Sequence, residues 1–283
     1  MLDWQFFALS AALLSASERI IHRWNIKKYK ESIGYSSMFQ MTCAVLAMPA
    51  AIWILWDQVY SISIQNLWLV GAAAICWTTF SLLTFKADEY LDASSKSSIS
   101  RFRVLWSLII GVVIFDENVT LLKVTGALMV AIAPISLIAF DRKISPKGAF
   151  LEIGATISLS LALVFDKLAP QFFDVAVVTF LAFANSAIIT MILRSGLRKK
   201  NPWAKDHKRI MMVILASLFS LSCYYSLMIA LKYGDISVAV PIYMTSPIIT
   251  TLMAFFLLSE RENIVGRITV AFTATVGCIL IVL

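Results

Sequence analysis

The hydrophobic residues of this chain fall into ten long runs, separated mostly by short polar or charged stretches. An α-helix rises about 1.5 Å per residue, so about 20 apolar residues are needed to cross the hydrocarbon core of a bilayer. Most of the runs reach about that length. The pattern therefore predicts ten transmembrane helices, at about 4–24, 35–56, 66–86, 94–115, 120–140, 148–166, 171–193, 210–231, 236–258 and 264–283.

Composition agrees with this pattern. Of the 283 residues, 60% are hydrophobic and only 14% are charged, and the mean hydropathy is +0.83. These values exclude a soluble globule of this length, and ten spans leave no room for a soluble domain. We therefore predict an all-α, multi-pass protein of the cell membrane, with the lipid bilayer as its surroundings.

The last quarter of the chain repeats an earlier stretch. Residues 115–140 and residues 258–283 both run from an acidic cluster into an unbroken apolar helix, without a gap, at an offset of 143. The same offset aligns Asp92 with Asp235, each just before a helix that begins with small residues. We therefore predict two related five-helix repeats, 1–143 and 144–283.

The net charge of +7 is distributed so that it predicts topology. The links that follow odd-numbered spans, together with the adjoining span ends, contain 18 lysines and arginines, and those that follow even-numbered spans contain 3. The positive-inside rule then places the odd-numbered links in the cytoplasm and both termini outside. Because each half has five spans, the two repeats must be inserted in opposite orientations. Inverted repeats with a site between them are the architecture of secondary transporters.

Loose motifs recur at matching places in the two halves. Glu117 is followed by Gly126, and Glu260 is followed by Gly266, where the fourth span of each half leads into the fifth. Residues 230–241 join the third and fourth spans of the second half. In these features and its ten spans, the chain resembles the EamA-like branch of the drug/metabolite transporter superfamily over its full length. The resemblance implies a central cavity, walled in part by the third, fourth, eighth and ninth spans.

The chain departs from the pattern of that family in three respects. The spacing from Glu260 to Gly266 is shorter than the spacing from Glu117 to Gly126. The family often has a proline in the fourth span of each half; Pro247 matches this, but its counterpart here is Val104, preceded by Arg101 and Arg103. Family members usually have cytoplasmic termini, whereas the charge distribution of this chain places them outside.

Arg103 is the most informative ionisable residue. It lies nine residues into the fourth predicted span, about 14 Å deep at 1.5 Å per residue, near the midplane where transporter sites lie. Helical spacing places Lys96, Ser100, Arg103 and Ser107 on one face, with Arg101 on another. Two interpretations stay open: Arg103, with Ser100 beside it, binds a carboxylate or phosphate of the substrate, or it forms a structural ion pair with an acid on another span.

Glu18 and Asp166 lie late in the first and sixth spans, each followed by a basic residue. A buried carboxylate can carry a proton, so both are candidates for coupling, and Glu18 is also a candidate to bind a substrate ammonium group. Glu18 shares a helix face with His22. Glu152 is interpreted as an acid at the start of its helix. Snorkelling to the membrane interface is the simpler interpretation for the three nearby cations, Arg19, Arg23 and Lys167.

Aromatic residues are dense in the spans that the resemblance assigns to the cavity. Tyrosine and tryptophan combine an apolar face with a hydrogen-bond donor, which suits the binding of a small organic molecule or a cation. Ordinary packing is the alternative. Of the six that we single out (Trp77, Phe80, Trp106, Tyr224, Tyr225 and Tyr243), we take Trp77, Phe80, Tyr224 and Tyr243 as candidate substrate-binding residues.

Other classes of chemistry find little support. The four cysteines form no CxxC pair, the two histidines are far apart in sequence, and there is no phosphate-binding glycine-rich loop. We therefore predict no metal, no cofactor and no nucleic-acid partner. The chain is expected to act as a monomer, because two inverted halves lie in one chain.

The favoured interpretation is a secondary transporter for a small polar metabolite, such as an amino acid or a related zwitterion or anion, coupled to a proton or a counter-solute. The alternative is an exporter of lipophilic cations or drugs, in which acids and aromatic residues dominate the site. An intramembrane enzyme is a remote third alternative, because no His/Asp dyad or Gly-x-Ser-x-Gly motif is present.

Overall fold

The protein is helical throughout the residues that its computed structural model describes: 4–29, 32–58, 66–140, 144–196, 206–246, 249, 250, 253, 256, 272, 273 and 275–281. No strand occurs within those ranges. The helices are α1 (Trp4–Tyr29), α2 (Ser32–Gln58), α3 (Leu67–Ala87), α4 (Ala93–Ile99), α5 (Phe102–Phe115), α6 (Leu121–Phe140), α7 (Pro146–Leu168), α8 (Val175–Gly196), α9 (His207–Tyr233) and α10 (Ile236–Tyr243). A 3₁₀ turn, Ala169–Gln171, extends α7, and residues 275–281 are also helical.

The helices begin where local chemistry satisfies their first amide groups. The Ser145 hydroxyl accepts from the Gly148 N–H at 3.4 Å, with Pro146 in the first turn of α7. The Asp206 carboxylate accepts from the Lys208 N–H at 3.0 Å, at the start of α9. Such caps matter in a membrane protein, because lipid offers no hydrogen bonds to an exposed backbone.

Five of the described helices are long and apolar enough to cross a membrane: Ser32–Ile54, Leu67–Ala87, Pro146–Gln171, Val175–Gly196 and His207–Tyr233. Two shorter apolar segments, Phe102–Phe115 and Leu121–Ile132, lie among them. The prediction of an all-helical membrane protein is therefore confirmed. The predicted count of ten spans stays a prediction, and much of spans nine and ten lies outside the described residues.

The fourth predicted span is not one helix, and this corrects the prediction of a continuous span at 94–115. It breaks at Ser100 and Arg101 into α4 and α5. The Arg101 N–H bonds to the Ser98 carbonyl group and the Arg103 N–H to that of Ser100, each at 3.2 Å, which is the tighter 3₁₀ pattern.

The helices pair across the two halves of the chain. α1 packs along α9, α2 along α8, α3 along α7, and α5 along α10. Small residues allow the close approach of α1 and α9, since Ala8 and Ala11 are fully buried there and the Cys223 thiol lies 3.3 Å from the Ala11 carbonyl oxygen. Large apolar side chains such as Trp53, Phe150 and Val113 point outward, as expected of a surface that faces lipid.

Two glycines meet where α6 crosses the helical residues 275–281. A Cβ atom added to Gly277 would lie 2.6 Å from the Gly126 carbonyl oxygen, and one added to Gly126 would clash with the Gly277 carbonyl oxygen. The absence of side chains therefore permits the contact between the fifth helix of the first half and the C-terminal helical segment.

Glu117, between α5 and α6, contacts both the start of α10 and the end of α7 at one end of the bundle. Its carboxylate accepts hydrogen bonds from the N–H groups of Ile236 at 2.9 Å and Ser237 at 3.0 Å, at the start of α10. The Lys167 ammonium group lies 3.2 Å from the same carboxylate and 3.2 Å from the Gly234 carbonyl oxygen. Asp116, just before it, adopts the left-handed conformation with φ 51°. Lys167, interpreted from sequence as a snorkelling residue, thus holds a structural ion pair.

The environment of Glu117 favours its charged form. Burial of the carboxyl group raises its pKa, but hydrogen bonds from Ser237 and Ile236 and the positive charge of Lys167 outweigh that effect, so the pKa of Glu117 lies below its ordinary value of 4.5. A carboxylate with a lowered pKa stabilises the folded state at pH values above the ordinary pKa. That contribution is lost as the pH falls through the lowered value.

We expect Gly126→Val to destabilise the protein by about 1–3 kcal/mol, because the added side chain overpacks the crossing with residue 277. Thermal unfolding in detergent measures the effect. Gly71→Ala is the matched control, since a Cβ at Gly71 meets nothing within 4 Å, and it should leave stability unchanged or raise it. Equal melting temperatures for Gly126→Val and wild type would contradict the close crossing.

We expect Glu117→Gln to lower the free energy of unfolding at pH 7 by about 1–3 kcal/mol, because charged hydrogen bonds at the start of α10 become neutral ones. The difference between variant and wild type should shrink as the pH falls below 4.5. Thermal melts from pH 7 to pH 3 test both points. Asp116→Asn, which removes the exposed neighbouring charge, is the control and should be as stable as wild type. If Glu117→Gln were still less stable than wild type at pH 3, the ionised carboxylate would not be the cause.

Candidate functional site

One cavity lies among the helices and contains most of the residues predicted for the site. It has an empty volume of about 750 Å³, a figure that includes the space at its mouth. Six of the seven residues predicted to bind substrate line it: Glu18, Trp77, Phe80, Arg103, Tyr224 and Tyr243.

The Arg103 side chain is almost completely buried, with 1% of its surface exposed. Its guanidinium carbon lies 5.8 Å from the centre of the Phe80 ring and 5.5 Å from that of Tyr243. Within the described residues, no carboxylate lies within 4 Å of it, and its Nε and Nη1 atoms have no hydrogen-bond partner. The interpretation as a structural ion pair therefore finds no partner in the described part of the chain.

Glu18 faces the same cavity from α1. Its Oε1 atom lies 3.6 Å from Nε2 of His22, as the i, i+4 spacing predicted, and its Oε2 atom is buried without a partner among the described residues. The other nitrogen of His22 shares a 2.5 Å hydrogen bond with the Tyr35 hydroxyl. Tyr35, Phe39 and Phe85 surround the imidazole ring edge-on. Both ends of the imidazole are therefore fixed.

Further charges line the cavity and are already engaged. Glu152 accepts a hydrogen bond from the Thr84 hydroxyl at 2.8 Å and is 1% exposed. It lies well inside α7, so its interpretation as an acid at the helix start was wrong. The Lys96 ammonium group is 2.7 Å from Asp88. Arg19 donates to the Ser100 hydroxyl at 3.1 Å, and therefore does not snorkel as expected.

An aromatic wall closes one side of the cavity. The Trp77 ring contacts those of Phe80 and Tyr224 edge-on, at centroid distances of 5.5 and 5.3 Å, and Tyr224 contacts Phe183 at 5.5 Å. The Asp166 carboxylate lies behind this wall and accepts from Nε1 of Trp77 at 2.9 Å and from the Tyr224 hydroxyl at 2.7 Å. Asp166 thus holds the two wall residues in place from outside the cavity.

Four residues singled out from sequence are not part of the cavity lining. Ser100 bonds to Arg19, and Asp166 lies behind the wall. Trp106 is likewise not in the lining, and Tyr225 is 44% exposed on the outer face of α9. The fixed hydrogen bonds of Ser100 and Asp166 leave them a role in positioning other groups rather than in direct contact.

The polar lining residues that sequence reasoning missed include Arg19, His22, Gln40 and Glu152. Arg19 and Glu152 carry the same signal as Arg103, an ionisable group within or beside an apolar span, and were explained by reach and by position in the helix. Gln40 lies in the second span among apolar and small residues, where a lone amide gives a weak signal. Only packing shows that these residues face Arg103.

The described residues contain no group of three or more His, Cys, Asp or Glu side chains that could hold a metal ion. All four cysteines are free thiols. The lining combines buried charges of both signs with aromatic surface, an arrangement that can bind a small charged organic molecule by its ends and its body.

These features define a multi-pass helical membrane protein with a central cavity of mixed polarity. Residues 146–283 match the family model of the EamA-like transporter family, which belongs to the drug/metabolite transporter superfamily, and this match confirms the resemblance seen in the sequence. The family consists of membrane transporters. No curated protein matches the sequence. A solved crystal structure aligns with 98% of this chain and 95% of its own at a TM-score of 0.76 and 14% identity, which shows a shared fold.

Proposed function

We propose that the protein is a secondary transporter that moves a small polar metabolite, an amino acid or a related zwitterion or anion, by alternating access through the central cavity. The observation that carries the proposal is the Arg103 guanidinium group, buried at the cavity wall with two N–H donors unpartnered among the described residues. A buried donor without a partner is costly, and a bound carboxylate would remove that cost with charged hydrogen bonds.

Glu18 is the acidic residue that we propose binds the ammonium group of the substrate. Its unpartnered Oε2 atom lines the same cavity, so a molecule with both a carboxylate and an ammonium group finds a partner for each. Tyr224, Tyr243, Trp77 and Phe80 would pack against its body. Ser100 would act through its hydrogen bond to Arg19, beside the ammonium-binding carboxylate.

The helix pairing supports two inverted repeats, 1–143 and 144–283. Numbered within each half, the pairs are first with third, second with second, third with first and fourth with fourth. Exchanging the two halves leaves this pattern unchanged, as a pseudo-two-fold axis requires. Such a pair of halves provides the rocking motion of alternating access within a single chain, so we propose a monomer of ten spans in the cell membrane.

The second candidate function is export of lipophilic cations. It is favoured by the aromatic wall together with two lining carboxylates, Glu18 and Glu152. In that case Arg103 would serve structure rather than substrate binding. The remote enzymatic alternative gains no support from the lining residues.

The test is a thermal-shift screen of the purified protein against amino acids, nucleotides, sugar phosphates and quaternary amines. Ligands that bind only the folded protein raise its melting temperature. We expect a carboxylate-bearing hit whose affinity falls about 10- to 100-fold in Arg103→Met, because two charged hydrogen bonds are lost. Arg103→Lys keeps the positive charge but not the paired N–H donors of the guanidinium group. Its affinity for the hit should lie between those of wild type and Arg103→Met.

A quaternary amine that stabilises wild type and Arg103→Met equally would contradict the zwitterion proposal and favour the exporter. A screen without any hit among the carboxylates, in a protein that is folded by circular dichroism, would also contradict it.

We further propose that Glu18 and Asp166 take part in coupling, Glu18 from the cavity and Asp166 through the wall residues Trp77 and Tyr224 that it holds. The affinity of the screened hit for wild type and for two variants is the measurement. We expect Glu18→Gln to weaken binding of an ammonium-bearing ligand about tenfold, because an amide attracts a cation less strongly than a carboxylate does. Asp166→Asn, which keeps an acceptor for Trp77, should weaken binding less; affinities in both variants that match wild type would exclude the two residues.

A further inference from the structure

A second, smaller chamber adjoins the central cavity. Its volume of about 190 Å³ includes the open space that adjoins it, and it is lined by Gln40, Trp77, Ala182, Phe183, Ser186 and Tyr224. Four of these residues, Gln40, Trp77, Phe183 and Tyr224, also line the central cavity. The two spaces therefore lie against each other, with Trp77 and Tyr224 at their common boundary.

Gln40 brings an unsatisfied polar group to that boundary. Only 2% of the surface of Gln40 is exposed. Its amide nitrogen donates to the Ser81 hydroxyl at 2.8 Å, and its amide oxygen has no hydrogen-bond partner among the described residues. A buried amide oxygen without a partner destabilises the folded protein, and a bound donor would remove that cost.

The rest of the chamber offers no partner to that oxygen. The Ser186 hydroxyl already donates to the Ala74 carbonyl oxygen at 3.3 Å. Nε1 of Trp77 and the hydroxyl of Tyr224 both donate to Asp166. Every other described donor on the lining is thus engaged, and Ala182 and Phe183 have none to give.

We propose that this chamber is a subsite for the far end of the substrate, and that Gln40 selects substrates whose far end carries an amide or a hydroxyl group. The inference rests on the proposed function, since the near end of the substrate would be held by Arg103 and Glu18. Gln40 then determines specificity rather than binding as such.

The chemistry of the lining sets which molecules are favoured. An amide group presents both a donor and an acceptor, so it pairs with the Gln40 amide in either orientation of that side chain. An apolar end of the same length would enter the chamber but leave the Gln40 amide buried and unpaired. Sites built to hydrogen-bond a substrate group discriminate against analogues that lack it.

Two probes of nearly equal length test the proposal: L-glutamine, with a terminal amide, and L-methionine, without one. Calorimetric binding to the purified full chain measures both. We expect wild type to bind glutamine about tenfold more tightly than methionine, and Gln40→Met to abolish or reverse that preference. Ser186→Ala, which changes the same chamber at a hydroxyl already bonded to the backbone, is the matched control and should keep the preference.

Ala182→Val tests occupancy of the chamber without touching the Gln40 amide. It should weaken both long probes while leaving binding of L-alanine, which is too short to reach the chamber, as in wild type.

Equal affinities for glutamine and methionine in wild type, or a preference that survives in Gln40→Met, would overturn the subsite and leave the proposed function standing. No binding of any of the three amino acids to folded wild-type protein would overturn the subsite, whereas the proposed function is overturned only when the wider screen also gives no carboxylate-bearing hit. If Gln40→Met melted like wild type but bound all three amino acids weakly, Gln40 would position the site as a whole. That result would overturn its selective role.

Discussion

The constraint on which this structure depends is the cost of burying charge and backbone polar groups inside a helix bundle whose outer surface is apolar. Lipid offers neither hydrogen bonds nor counter-charges, so each ionisable group must turn inward and find its partners within the protein. Glu117 finds them in the first amides of α10 and in Lys167. Lys96 finds Asp88. Against this background, the buried Arg103 guanidinium group, which lines the cavity, lacks a carboxylate within 4 Å among the described residues.

The same cost explains what could be predicted from sequence. Apolar runs long enough to span a bilayer predicted α3 at 66–86 and α7 at 148–166, and the helices are Leu67–Ala87 and Pro146–Leu168. Six of the seven candidate binding residues line the cavity, because ionisable and aromatic side chains inside spans tend to face one. Length and hydropathy are local properties of the chain, so they can be read without knowing how the helices pack.

What sequence reasoning missed depends on hydrogen bonds and packing that hydropathy does not report. The break of the fourth span is made by local 3₁₀ hydrogen bonds, in a stretch whose hydropathy alone favoured one helix. Glu152 was assigned to a helix start because α7 was predicted to begin at 148, whereas α7 begins at Pro146 and Glu152 is its seventh residue. The role of Asp166 depends on Trp77 and Tyr224, which are 89 and 58 residues away in sequence.

Residues at matching positions of the two proposed repeats have different contacts. Glu18 and Asp166 are each followed by a cation, yet Glu18 lines the cavity while Asp166 holds the aromatic wall from behind. Arg19 donates to Ser100 beside the cavity, whereas Lys167 pairs with Glu117 at the end of the bundle. The two parts of the chain thus present different side chains to one cavity, and the cavity is asymmetric. An asymmetric pocket is what a molecule with two different ends requires.

α10 links the two regions where these charges lie. Its first amides bind Glu117, and its last residue, Tyr243, contacts Arg103 in the cavity wall. The helix is eight residues long, so the two contacts are separated by about 10 Å along one short rigid element. The Tyr243 hydroxyl also shares a 2.9 Å hydrogen bond with Ser15 on α1, three residues before Glu18. A displacement of α10 that parts it from Glu117 therefore also shifts the aromatic face over Arg103 and strains the bond to the helix that carries Glu18, so the end of the bundle and the two charged ends of the site are mechanically connected.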